Sequence, residues 1–132
     1  MKRMPSLYIA HAISQPLAAG RDTWQMHYYN VCEFASAIAE LRILPTVPVL
    51  LPSISHTQAL NIDRQFVEDV DGIAIFMDRL GWWKESTGVT REAMWCKRFG
   101  KPVLHGTETN MDSIKKWLRA WKIHEANTRK SK

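Results

Sequence analysis

A chain of 132 residues that is 45% apolar has room for one hydrophobic core and little else, because single domains typically run ~100–200 residues. Its formal charge of +5 suggests a polyanionic partner until it is located: Lys2, Arg3, Lys122, Arg129, Lys130 and Lys132 against Glu125 carry the whole excess, residues 5–121 are balanced, and nucleic acid is not an expected partner. No stretch approaches the ~20 apolar residues of a membrane span, and the opening Met1-Lys2-Arg3-Met4-Pro5 runs into too short an apolar segment for a secretory signal, so a cytoplasmic protein without a membrane partner is expected.

Taken in chain order, the first predicted element is a strand over residues 6–10, an unalternating apolar run of the kind buried on both faces of a parallel sheet. From Asp22 to Arg42, apolar residues recur at three- and four-residue steps and predict a long amphipathic helix, with Asp22 or Thr23 as its cap. Val47–Leu51 reads as a second strand, and 62–70 as a helix with Phe66 and Val67 inward and Glu68 and Asp69 outward. A third strand covers 72–77. A helix from about Gly88 to Phe99 is stopped by Gly100 with Pro102 beyond it. A strand over 102–104 and a helix from Met111 to Ile123 complete the pattern, with Trp24, Trp95, Trp117 and Trp121 at spacings that suit packing. Cys32 and Cys96 have no CxxC spacing and are expected as buried free thiols, the His residues are scattered, and no metal site or cofactor is signalled.

Strands alternating with helices predict an α/β domain of Rossmann or flavodoxin-like type: a parallel sheet of about four to five strands, flanked by helices and joined by right-handed crossovers. Residues 1–123 form this domain, and 124–132 are expected as a basic, flexible tail. Ligands in such sheets bind at the carboxyl ends of the strands, which here are the loops after Ala10, Leu51, Met77 and Leu104.

The informative segment follows the third strand. A buried run ends near Asp78, a loop carries Trp82 and Trp83, and Ser86, Thr87 and Gly88 open a helix that bears Glu92 about one turn in. Backbone amides at a helix start hold anions, and the two hydroxyls add donors, so a phosphate suits this end. The plainer reading is that Ser86 and Thr87 cap a helix whose Glu92 is solvated. Asp78 either contacts a sugar or caps the strand end, and Trp82 either stacks on a base or packs the loop. At the first strand end, His11 is a pocket or a structural residue, and Gly20 and Arg21 either contact phosphate or begin a solvated helix.

The run Ser86-x-Gly88-x-x-x-Glu92, followed by Gly100-Lys101-Pro102-Val103, resembles the signature of the nucleoside 2-deoxyribosyltransferase superfamily, and Gly81-Trp82 brings it nearest to a small bacterial and phage branch. Tyr8-Ile9-Ala10 matches the family's opening strand, residues 52–56 resemble its second loop, and Asp63 stands eight residues before Asp71 as a family Asp does. The resemblance implies that Glu92 is the nucleophile at the anomeric carbon and that Asp63 protonates the departing base or contacts the sugar. A Ser at position 86 is similar to the nucleoside 5'-monophosphate N-glycosidases, whereas transferases acting on free nucleosides carry an Asp there. Asp63 would be the protonated partner of an ionised Glu92. The first loop, His11 to Arg21, departs from the family's pattern.

The expected function is therefore cleavage of the base–sugar bond of a nucleotide by a dimer or larger homo-oligomer, with Ser86, Thr87, Gly88, Asp78, Trp82, His11 and Arg21 binding substrate. The alternatives are a nucleotide-binding or sensing module of the same fold and a deoxyribosyltransferase acting on nucleosides.

Overall fold

In the computed structural model, which describes residues 3–48 and 55–130, four parallel strands run side by side in the order β2-β1-β3-β4. They are β1 (Ser6–Ala10), β2 (Leu44–Thr46), β3 (Gly72–Phe76) and β4 (Val103–Gly106). Six helices accompany them: α1 (Ser14–Ala18), α2 (Arg21–Glu40), α3 (His56–Asp69), α4 (Trp82–Glu85) and α5 (Thr87–Arg98) in the connections, and α6 (Asp112–Lys130) after the last strand. The expected α/β class with a parallel, helix-flanked sheet is what the chain adopts. Among the described residues no helix is long and apolar enough to cross a membrane.

The alternation of side chains along each strand builds two cores. Leu7, Ile9, Ala74, Phe76 and Leu104 face one way, and Val31, Phe34 and Ile38 of α2 with Ile114 and Leu118 of α6 pack on them. Tyr8, Ala10, Ile73 and Ile75 face the other way, against Val67 of α3 and Val89 and Cys96 of α5. The central strands β1 and β3 are buried in consecutive positions because both faces are covered. The chain start is fixed to the sheet by Asp71, whose carboxylate accepts from the Ser6 N–H at 2.8 Å and from the Arg3 guanidinium at 3.0 Å.

Several boundaries differ from expectation. β2 lies at Leu44–Thr46 instead of 47–51, with Ser6, Leu7 and Tyr8 in register with Leu44, Pro45 and Thr46. It is an edge strand, where a proline that lacks an N–H is tolerated. Residues 49–51, and the 52–54 part of the family-like second loop, lie outside the described residues. α3 starts six residues earlier than expected because Ser55 and Gln58 form a reciprocal capping box. It leaves Phe66 at 41% exposure instead of inward. α6 continues through Lys130, so 124–130 are helical and not a separate tail. Cys32 is exposed on α2, and only Cys96 is buried.

Gly72 opens β3 where the chains approach most closely: a Cβ there would stand 2.9 Å from both the Cγ and the carbonyl oxygen of Pro102. The backbone carbonyl cannot swing aside. Gly72→Ala should lower the urea midpoint by an amount equivalent to about 1–3 kcal/mol, the usual cost of overpacking; an unchanged midpoint would show that β3 and β4 separate freely.

Candidate active site

The order β2-β1-β3-β4 reverses direction between β1 and β3, and the crevice beyond their carboxyl ends is the usual ligand position in this architecture. The polar residues near that end fall into two groups, one against each face of the sheet.

The first group gathers under α3 and α5. Tyr8, fully buried in the middle of β1, points its hydroxyl at α5 and donates a short hydrogen bond to the Glu92 carboxyl oxygen Oε2. A buried tyrosine in an otherwise apolar strand needs a partner for its O–H, and Glu92 is that partner. Asp63 of α3 is close enough to act electrostatically on both groups, and Arg91 is felt by both carboxyls. The sequence expectation for Glu92 and Asp63 thus meets in one cluster, joined by two residues it had not assigned, Tyr8 and Arg91.

Burial sets the electrostatics of this cluster. Glu92 is 7% exposed, and removal from water, with a smaller push from Asp63, raises its carboxyl to about 8 against the opposing pull of Tyr8 and Arg91. Asp63 is half-buried and is also raised by burial, with Arg91 and then Tyr8 opposing. The deeper carboxyl carries the larger shift. Burial therefore favours the proton on Glu92, whereas the family resemblance implies it on Asp63, because Glu92 is buried against the sheet and Asp63 is half-exposed. The Tyr8 hydroxyl is raised as well, by burial first and by Glu92 second, and stays a donor at every relevant pH.

Above this cluster stands the start of α5. The Ser86 hydroxyl oxygen accepts from the Val89 N–H at 3.2 Å, and the Ser86 carbonyl accepts from the Thr90 N–H and from its hydroxyl. Ser86 is thus a true helix cap, and as a capping acceptor it keeps its own O–H proton to donate. Thr87 is exposed at the first helical position. Gly88 has space around it: an added Cβ would meet only the Ser86 Oγ, at 3.7 Å.

The second group lies on the α2 face. His11, 3% exposed at the end of β1, places Nδ1 3.0 Å from the Ala12 carbonyl and 3.2 Å from Nε2 of His27 on α2. Burial, reinforced by His27, lowers His11 to about 4, and burial lowers His27 as well. Both rings are neutral near pH 7. Trp24 stacks on both, and Trp82 meets His27 edge-on at 6.1 Å.

Asp78 takes the structural side of the alternative: its two carboxylate oxygens accept from the Trp82 and Trp83 N–H groups at 2.8 and 2.9 Å and so start α4. A cleft of about 640 Å³ opens here, between Asp22 and His27 of α2 and Phe76, Asp78 and Trp82 of the β3 end. Arg21 is exposed in the first turn of α2, after Gly20 at φ 117°. His11, Asp78 and Trp82 are thereby joined to one another through His27 and separated by the sheet from Glu92 and Asp63.

His27 was legible as a lone histidine one turn before Val31 on the apolar stripe of α2. Arg91 gave no signal beyond its place beside Glu92. The chain matches no protein-family model, and a comparison with curated proteins found no match.

The two groups predict opposite pH limbs of stability. Glu92, raised from 4.5 to about 8, contributes stability that is complete below its unfolded value and is lost as pH rises through the folded one. His11, lowered from 6.5 to about 4, contributes stability present above its unfolded value and lost as pH falls. Thermal melts from about pH 5 to about pH 9 should show Glu92→Gln flattening the alkaline limb while leaving the acid limb unchanged. An alkaline limb identical in the variant would place Glu92 in water.

Proposed function

We propose that the protein is an N-glycosidase that cleaves the base–sugar bond of a (deoxy)nucleoside 5'-monophosphate through Glu92. The observation that carries this reading is the buried Glu92–Tyr8 hydrogen bond with a second carboxyl, Asp63, beside it: two acids of unequal burial that can divide one proton. With that proton on Asp63, the Glu92 carboxylate is free to attack the anomeric carbon. The bond to the base nitrogen breaks, its electron pair stays with the base, and Asp63 supplies the proton the base requires. Water then hydrolyses the glycosyl ester, releasing sugar phosphate and restoring the carboxylate, the logic of retaining glycosidases.

Three features support a phosphorylated substrate. The amides of Thr87 and Gly88 head a 12-residue helix and have no intrahelical acceptor. Ser86 retains its proton as a donor, and Gly88 lets an anion approach the amides without obstruction. No carboxylate stands at position 86 to repel a dianion. Phe66, half-exposed one turn beyond Asp63 with its ring 6.5 Å from that of Tyr8, offers a face to a planar base.

A second reading, a nucleotide-binding module that turns nothing over, draws on the same burial: a Glu92 that stays protonated is a hydrogen-bond donor and not a nucleophile. Incubation with a panel of nucleoside monophosphates, followed by chromatography for free base, separates the two. Base release that is greatest while the carboxyl pair holds one proton, declines as pH rises through about 8, and falls by a factor of about 10³ or more in Glu92→Gln supports catalysis. Tyr8→Phe should lower kcat about 10–100-fold with KM little changed, because it removes only the group that holds the nucleophile. Stoichiometric calorimetric binding of an unchanged nucleotide would establish the second reading, and no release and no binding from any member would end both.

A further inference from the structure

At the opposite end of the sheet from Glu92, a cavity of about 550 Å³ lies between the residues that precede β1, the α2–β2 turn and the last turns of α6. Its volume is that of small-ligand sites. We propose that it is a second binding site, for a small anion with an apolar body.

The walls are organised and not merely left over. Leu118 and Trp121 of α6, with Met4 and Pro5, give the cavity an apolar lining. The Arg3 guanidinium lies 5.3 Å from the centroid of the Trp121 ring, and its charge is answered by Asp71 at 3.0 Å and by Glu125 at 3.7 Å. Arg3 is therefore held between two carboxylates as part of the wall. Two cations at the rim are different. Arg42 and Lys122 are exposed, line the same cavity, and among the described residues are engaged by no ion pair. An anion entering here meets these two cations at the rim above an apolar floor, with the Glu125 carboxylate turned to Arg3.

Arg42 adds an independent argument. At φ 61° it is the one non-glycine among the described residues with a left-handed backbone, in the turn that ends α2. Glycine adopts that conformation without strain and is the usual residue just beyond a helix end. An arginine there strains the backbone, which gives it no advantage as a turn residue, but it stations a long cation at the cavity mouth. Strain of this kind points to a role for the side chain. Two members of the basic excess of the chain ends, Arg3 and Lys122, meet at this cavity.

The test uses anilinonaphthalene sulfonate as the probe, followed by calorimetry and fluorescence on the full-length protein, with inorganic phosphate as the anion alone and phenylnaphthylamine as the apolar body alone. The expected result is one equivalent of sulfonate bound, with both controls weaker by about tenfold or more and with Arg42→Glu and Lys122→Glu each weakening the sulfonate by a similar factor. Arg42→Gly guards against misfolding: its melting temperature should rise by a few degrees as the strain is relieved, while its affinity falls. The proposal is overturned if the sulfonate does not bind, if the neutral amine binds as well, or if either charge reversal or Arg42→Gly leaves its affinity unchanged. None of these residues belongs to the Glu92 cluster, so failure here leaves the glycosidase reading standing, and failure of that reading leaves this one.

Discussion

The hydrogen bond between Tyr8 and Glu92 is the constraint around which this molecule is arranged. A carboxyl group laid against the middle of a parallel sheet is costly to ionise, and one neutral donor cannot fully offset that cost. The fold holds Glu92 there because α5 is fixed at both ends: Ser86 caps its start, and Val89 and Cys96 bury its inner face against β3 and β1. The Glu92 side chain has little room to leave. Asp63 and Arg91 then tune a group whose location was decided by packing.

The arrangement also shows how one sheet separates two chemistries. Residues at even positions of β1 face α3 and α5 and meet the carboxyl cluster, whereas Leu7, Ile9 and the following His11 face α2. A two-residue period thus places an acidic, proton-sharing cluster on one side and a neutral, aromatic-walled histidine pair on the other, with a single strand between them. Each cluster is buried, yet their electrostatic demands are opposite: the carboxyls favour the protonated state and the imidazoles the deprotonated one.

The parts legible in the sequence were those where local pattern and tertiary packing agree. The strands 6–10 and 72–77 and the helix opened by Ser86 were readable because burial on both faces and helix capping leave direct marks. Glu92 and Asp63 could be paired only through the family resemblance, since they stand 29 positions apart on different helices. β2 was misread because an edge strand needs only one covered side, so a stronger apolar run nearby drew the assignment. The start of α3 is marked in the sequence by the Ser55 and Gln58 box, ahead of the apolar periodicity that begins at Ile62. The protonation preference of the two carboxyls is beyond sequence reasoning, because it depends on how deeply each is buried.

Asp78 holds the backbone amides of two adjacent tryptophans whose rings go separate ways: Trp82 to His27 on the α2 side, Trp83 to His105 and the core beneath α5. One carboxylate thereby fixes the backbone of both residues, so that the short helix α4 sends an aromatic ring to each side of the sheet from a single anchored turn.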